Sequence, residues 1–113
     1  MRISLVIPCY NEEKNIPYLL EACEELIENN FEIIIVDNGS TDQTAGVIKN
    51  IKNKYKKCKF IKIKKNLGYG NGILTGLKNA SGDLIGWTHA DLQTSPSDAI
   101  HAQRLFKKYG NDI

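Results

Sequence analysis

The sequence predicts an α/β fold: a mostly parallel sheet of about four strands with helices on both faces. Three observations lead there. Four short apolar runs alternate with four segments of helical period, the pattern of repeated strand and crossover-helix units. One run, Ile33-Ile34-Ile35-Val36, has no polar alternation, as expected of a central parallel strand buried on both faces. The segments of chemical interest, residues 8–12, 37–42, 66–72 and 89–93, each follow an apolar run. Right-handed crossovers bring the C-terminal ends of parallel strands to one edge, where open α/β sheets bind ligands.

The first strand is read at Ile3-Ser4-Leu5-Val6-Ile7 and ends at Pro8. Ile16, Leu19, Leu20, Cys23, Leu26 and Ile27 then recur at three- and four-residue steps, so a helix packs one face on the sheet until Asn29-Asn30 breaks it. The second strand ends at Asp37. Ser40 and Gln43 have capping-box spacing and announce a second helix with Val47, Ile48, Ile51 and Tyr55 inward. In the third strand Ile61 and Ile63 alternate with Lys62 and Lys64, which suits a sheet edge. A glycine-rich turn opens a third helix, read with Ile73, Leu74, Leu77 and Ala80 inward and closed by Ser81-Gly82. Leu84-Ile85-Gly86-Trp87 is the fourth strand, and Ser95-Pro96 starts a last helix that Gly110 can stop.

Composition narrows the function classes. With 113 residues, 42% hydrophobic and 25% charged, the chain fits one domain. A net charge of +2 gives no argument for nucleic acid as a partner. Cys9, Cys23 and Cys58 are odd in number and far apart, without C-x-x-C spacing, so they read as reduced thiols of a cytoplasmic protein. No basic-then-apolar leader or bilayer-length apolar run is present, and the piece is expected to be soluble. Nine of the fifteen Lys and Arg residues lie between Lys49 and Lys65. They fit a solvated helix face beside a lysine-protected edge strand, and this is the preferred reading; they also fit attraction to anionic lipid headgroups, a peripheral membrane contact.

The loops carry specific chemistry. Asp37, where a buried strand opens, can accept the ring N–H of uracil or guanine, and is equally a turn aspartate in an Asp-Asn-Gly sequence. Tyr10 can stack on the base and Glu12 can accept from ribose or base, although Tyr10-Asn11-Glu12 alone also fits a helix entry. The run from Asn66 through Gly68 and Gly70 to Gly72 offers backbone N–H groups at a helix start, a place for diphosphate oxygens. Its glycines make neither the dinucleotide fingerprint nor a Walker loop. His89, Asp91 and Gln93 are spaced by two, so an extended chain puts all three on one face, where they suit a divalent cation, Mn²⁺ better than Mg²⁺. His89 is also readable as a core or loop histidine, and Asp91 as a turn residue.

These residues resemble family 2 glycosyltransferases, especially the dolichyl-phosphate mannose or glucose synthase-like branch. Ile7-Pro8-Cys9-Tyr10-Asn11-Glu12 resembles the family's opening strand and base-binding loop, which brings Pro8 and Asn11 into the expected donor site. Val36-Asp37-Asn38-Gly39-Ser40-Thr41-Asp42 is similar to its second signature, whose first aspartate contacts the base. Asn66-Leu67-Gly68-Tyr69-Gly70, with Gly76 and Ala80-Ser81-Gly82-Asp83, is similar to its glycine-rich third segment. Ala90-Asp91-Leu92-Gln93 matches the end of its metal-binding stretch, with His89 standing where the family commonly has an aspartate. The resemblance implies a Rossmann-like, three-layer GT-A fold. It also implies transfer of a hexose from a UDP- or GDP-sugar to a polyprenyl phosphate or a saccharide, assisted by Mn²⁺ or Mg²⁺.

Asn111-Asp112-Ile113 looks like the approach to the family's next strand. Residues 1–113 are therefore expected to form the donor-binding part of a GT-A domain, stopping before the acceptor half and inactive alone. A sheet ending there is expected to self-associate. The rival reading from another class is a non-catalytic module that binds a nucleotide or a protein through the same edge. A sugar nucleotidyltransferase would open with a glycine-rich basic loop, which Pro8 to Glu12 is not.

Overall fold

The computed structural model describes residues 2–88. The predicted helix after Ser95 and the residues His89, Ala90, Asp91 and Gln93 lie outside them. In chain order the elements are β1 (Ile3–Cys9), α1 (Ile16–Ala22), α2 (Glu24–Glu28), β2 (Glu32–Asn38), α3 (Thr44–Ile51), a 3₁₀ turn (Lys52–Lys54), β3 (Lys59–Ile63), α4 (Tyr69–Lys78) and β4 (Leu84–Trp87). The four strands are parallel and ordered β3-β2-β1-β4. The chain first winds outward from β1 to β3 and then crosses back to β4. That reversal puts the switch point between β1 and β4, so the crevice expected of such a sheet opens at the C-terminal end of β1.

Strand alternation sorts the core. Ile3, Leu5, Ile7 and Cys9 of β1, with Ile33 and Ile35 of β2, meet Ile16, Leu19, Leu20, Cys23, Leu26 and Ile48 on one face. On the other face Val6, Ile34 and Val36 meet Ile61, Ile63, Leu77 and Ala80. Each fully buried Leu or Ile, on the central strands and on the helices against them alike, contributes about 1.5–3 kcal/mol relative to exposure.

Three local expectations are corrected. The first helix is two, α1 and α2, with Cys23 at the junction, yet its predicted inward residues Ile16, Leu19, Leu20, Cys23 and Leu26 are all buried. Ser40 caps nothing: α3 begins at Thr44, and Asp42 accepts the Thr44 N–H (2.9 Å). The Asp37 carboxylate takes the Ser40 N–H (3.1 Å), so Ser40 belongs to a turn that ends β2. Finally, Leu74 is half exposed, and the inward face of α4 carries buried Gly72 and Gly76. A Cβ on Gly76 would overlap the Val6 side chain, so α4 approaches the sheet too closely for leucine to be the spacer.

Glu32 closes the N-terminal end of the sheet and was not anticipated from sequence. Its carboxylate accepts from Ser4 Oγ (2.8 Å), the Ser81 N–H (2.8 Å) and Ser81 Oγ (2.8 Å), and pairs with Lys59 Nζ (3.0 Å). Burial alone pushes this carboxyl up. The Ser81 N–H, Lys59 and the two serine hydroxyls outweigh that and hold it down at about 2.

Cys9, Cys23 and Cys58 are free and buried, as their reading as reduced thiols requires. Burial pushes the Cys23 thiol up to about 12 and Cys58 to about 11, which leaves them unreactive. Among the described residues no helix is long and apolar enough to cross a membrane.

Candidate functional site

Two loops meet at the C-terminal edge, and Asn11 joins them. It adopts a positive φ of 54°, a conformation that asparagine tolerates better than most residues. Its Oδ1 accepts the N–H groups of Thr41 (2.8 Å) and Asp42 (3.2 Å), while its own N–H donates to Ser40 Oγ (3.0 Å). The Glu12 N–H donates to Thr44 Oγ1 (2.9 Å), and Thr44 Oγ1 donates to Asp42. Burial by itself raises the Asp42 carboxyl, but the Thr44 hydroxyl and N–H lower it on balance, so it stays ionised as a structural acceptor. Asn11 thus spends its side chain on the protein, and Glu12 accepts from Asn15 Nδ2 (2.7 Å).

Asp37 and Asn38 end β2 side by side and, by strand alternation, serve opposite faces. Asp37 sits opposite Cys9 in the β1–β2 register and is only 3% exposed. One carboxylate oxygen holds the Ser40 turn; the other has no hydrogen-bond partner among the described residues. The carboxylate borders an open cleft of about 350 Å³ between α3 and β3, with Ala45, Ile48, Phe60 and Ile61 among its apolar walls. Tyr10 stands at the end of β1, 45% exposed, with its ring available for stacking. Pro8 lies in β1, opposite Val36 and against Gly72.

Asn38 faces α4. Its Nδ2 donates to the Gly68 carbonyl (3.0 Å), tying β2 to the glycine turn, and its Oδ1 is buried without a partner among the described residues. Sequence reasoning passed over Asn38, although its place next to Asp37 on an all-buried strand was the available signal. The turn it holds begins with Asn66, whose Oδ1 accepts the Gly68 N–H (2.7 Å), and Gly68 itself has φ of 103°. No side chain caps α4, and its first intrahelical bond runs from the Gly72 N–H to Gly68 O (3.3 Å). The amides of Gly70 and Asn71 precede that bond, the arrangement in which a helix start offers N–H groups to an anion. Gly39, at φ 71°, packs so tightly that a Cβ there would overlap the Asn66 amide nitrogen, which locks the second loop to the third.

The structure therefore brings three of the four predicted segments to one edge. The fourth, with the expected metal ligands His89, Asp91 and Gln93 and the donor-site residue Ala90, lies outside the described residues. Among the described residues no group of three or more His, Cys, Asp or Glu side chains is placed to share a metal ion.

A parallel sheet with a topological switch and its polar loops gathered at the C-terminal edge defines an α/β protein of the nucleotide-binding kind. The chain belongs, within that class, to the family described as Glycosyl transferase family 2, whose pattern it matches over residues 4–113. It is 38% identical over 104 residues to the undecaprenyl-phosphate 4-deoxy-4-formamido-L-arabinose transferase of Proteus mirabilis, across 86% of this chain and 31% of that protein. It is 35% identical over 114 residues to the dolichol-phosphate mannosyltransferase of Pyrococcus furiosus, across 100% of this chain and 32% of that protein. Among solved structures it resembles the glucosyl-3-phosphoglycerate synthase of Mycobacterium tuberculosis in complex with Mn²⁺, UDP and glucosyl-3-phosphoglycerate. The TM-score there is 0.64 at 26% identity, over 80% of this chain and 33% of that one. The chain spans about a third of the length of the curated relatives it matches. The α/β fold of GT-A type and the family expected from the sequence are both borne out.

Proposed function

We propose that residues 1–113 form the donor-binding part of a glycosyltransferase that moves a hexose from a UDP- or GDP-sugar to a polyprenyl phosphate or a saccharide. The observation that carries this reading is Asp37: a buried carboxylate at the end of a central strand, one oxygen fixed by the Ser40 turn and the other without a partner among the described residues. An acceptor held this way suits the ring N–H of uracil or guanine and rejects adenine, which presents an acceptor there. Tyr10 supplies the stacking face, Pro8 and Asn11 shape the loop, and Glu12 supplies an acceptor for ribose. The amides at the start of α4, with Asn66, Gly68 and Gly70, face the diphosphate.

Imidazole, carboxylate and amide oxygen from His89, Asp91 and Gln93 make a donor set that fits Mn²⁺ or Mg²⁺, with Ala90 beside the diphosphate. Such a cation supplies charge neutralisation on the leaving diphosphate. A polyprenyl phosphate brings an anionic oxygen and needs no general base, whereas a saccharide hydroxyl needs one. The relatives named for undecaprenyl and dolichol phosphates favour the lipid acceptor.

Calorimetric titration with UDP, GDP, AMP and NAD tests the reading. UDP or GDP should bind in preference to the adenine nucleotides, and equal affinities for all four would leave the non-catalytic module as the better account. Asp37→Ala should weaken binding by about 1.5–3 kcal/mol, the worth of a hydrogen bond to a charged group. Mn²⁺ should tighten binding of the diphosphate, and Asp91→Ala should remove that gain; an equal gain in the variant would take Asp91 out of the site.

A further inference from the structure

From Gln43 to Gly82 the chain carries ten lysines and no aspartate or glutamate, whereas residues 1–42 carry nine carboxylates against two basic residues. All ten lysines are exposed. A solvated face that merely keeps a helix and an edge strand in water normally mixes the two signs; this one does not. Edge protection accounts for Lys62 on β3, an outer strand of the described sheet, and for Lys64 just past its end. It does not account for Lys49 at the end of α3 or Lys52 after it, on the opposite wall of the same cleft.

Neighbouring charges define where the excess lies. Lys59 is neutralised by Glu32 at 3.0 Å. Lys54, Lys56 and Lys57 share a second shallow cleft with Glu24 and Glu28. Lys49, Lys52 and Lys62 ring an apolar cleft whose one carboxylate among the described residues is the buried Asp37. Lys64 and Lys65 follow β3 at its C-terminal end, and two residues later Leu67 is 65% exposed. Three lysines about an apolar cleft, followed just past the end of β3 by Lys64, Lys65 and an exposed leucine, give five lysines without ion-pair partners among the described residues. Cationic heads around apolar surface is the composition of a membrane-interface element.

We propose that this side, formed by the end of α3, the 3₁₀ turn, β3 and the Lys64–Leu67 turn, docks on an anionic phospholipid surface. Docking there carries the C-terminal edge of the sheet, with Asp37 and the start of α4, down to the plane where a lipid phosphate lies. The preference for a membrane over nucleic acid rests on the lipid-phosphate acceptor proposed above. It rests also on the all-lysine character of the patch, since arginine, whose planar fork is the usual reader of nucleic-acid phosphates and bases, does not occur between Gln43 and Gly82.

The test is flotation of the 113-residue chain with vesicles of phosphatidylcholine alone and of phosphatidylcholine mixed with phosphatidylglycerol, beside calorimetry with UDP and GDP. The chain should float only with the anionic vesicles and should be released by salt, as the screening length shrinks. The double variant Lys64→Gln/Lys65→Gln, outside the cleft that Asp37 borders, should bind these vesicles about 25-fold more weakly, about fivefold per lysine, with nucleotide affinity unchanged. The control Lys56→Gln/Lys57→Gln removes the same charge and should lose less than about fivefold, because Glu24 and Glu28 already offset it. No flotation, flotation with both vesicle types, equal losses in the two variants, or tighter binding of a single-stranded RNA oligomer at the same salt would each overturn the proposal. Nucleotide binding without flotation would overturn the docking face and leave the donor site standing; flotation without nucleotide binding would do the reverse. Circular dichroism confirms that each variant is folded, and the salt titration of the unaltered chain needs no variant.

Discussion

The two faces of the sheet are built by different means. On the α1–α3 side the space is filled by large aliphatic side chains, among them Leu19, Leu20, Leu26, Ile33 and Ile35, all at most 1% exposed. On the α4 side the helix lies against the strands through Gly72 and Gly76, and the N-terminal end of that face is closed by the hydrogen-bonded Glu32 carboxylate rather than by hydrocarbon. The first face tolerates imperfect shape as long as volume is kept; the second depends on the absence of a methyl group and on a satisfied buried charge. The close approach also has a consequence for the site. It sets the start of α4 near enough to β2 for Asn38 to hold the Gly68 carbonyl, which a helix spaced by leucines would not allow.

If this comparison is right, the largest loss should come from emptying the aliphatic face. Leu20→Ala should cost about 4 kcal/mol, in the upper half of the range for buried leucine truncations, read as a shift of the urea midpoint with unchanged slope. A loss under about 1 kcal/mol would mean that this face collapses to fill holes.

On the opposite face Glu32→Ala should cost about 3 kcal/mol, since Ser4 Oγ and the Ser81 N–H and hydroxyl lose their acceptor. The pH dependence has a definite sign. Glu32 is held at about 2 against an ordinary 4.5, so its contribution is complete above pH 4.5 and is lost as pH falls through 2. Acid titration of stability should therefore be shallower in Glu32→Gln than in the unaltered chain, and identical curves would assign the acid sensitivity elsewhere.

Gly76→Ala should cost about 2 kcal/mol in spite of alanine's better helix propensity, because the new methyl meets Val6. Paired with Val6→Ala, the loss should be smaller than the sum of the two single losses; strict additivity would show that α4 moves away freely. The smallest effect is expected at the joined loops. Asn11→Gly keeps the positive φ but removes the acceptor for Thr41 and Asp42, for a loss of about 1 kcal/mol in thermal unfolding. An unchanged melting temperature would mean that the two loops are held by Glu12 and Thr44 instead.

What the sequence determined by itself is the class of fold, the strand positions and the edge on which the loops gather. Periodicity carries that information directly. The unbroken run Ile33 to Val36 proved to be a central strand buried on both faces, and the Ile/Lys alternation at Ile61 to Lys64 proved to be an edge. The family was legible because its motifs are contiguous and lie at strand ends. Tertiary structure alone decided the roles that depend on what stands opposite. Asn11 turned out to join two loops, because its acceptors and donors lie about thirty residues away in sequence. Leu74 faces outward, and Gly72 and Gly76 face inward, because the separation between α4 and the sheet is a property of the packed pair. Glu32 looks like an ordinary surface glutamate at the start of an apolar strand, and only the convergence of β1, β3 and the α4–β4 turn makes it a buried acceptor. Local pattern fixes which face a residue prefers; the identity of its neighbours arises only when distant segments are brought together, and a one-dimensional pattern does not contain it.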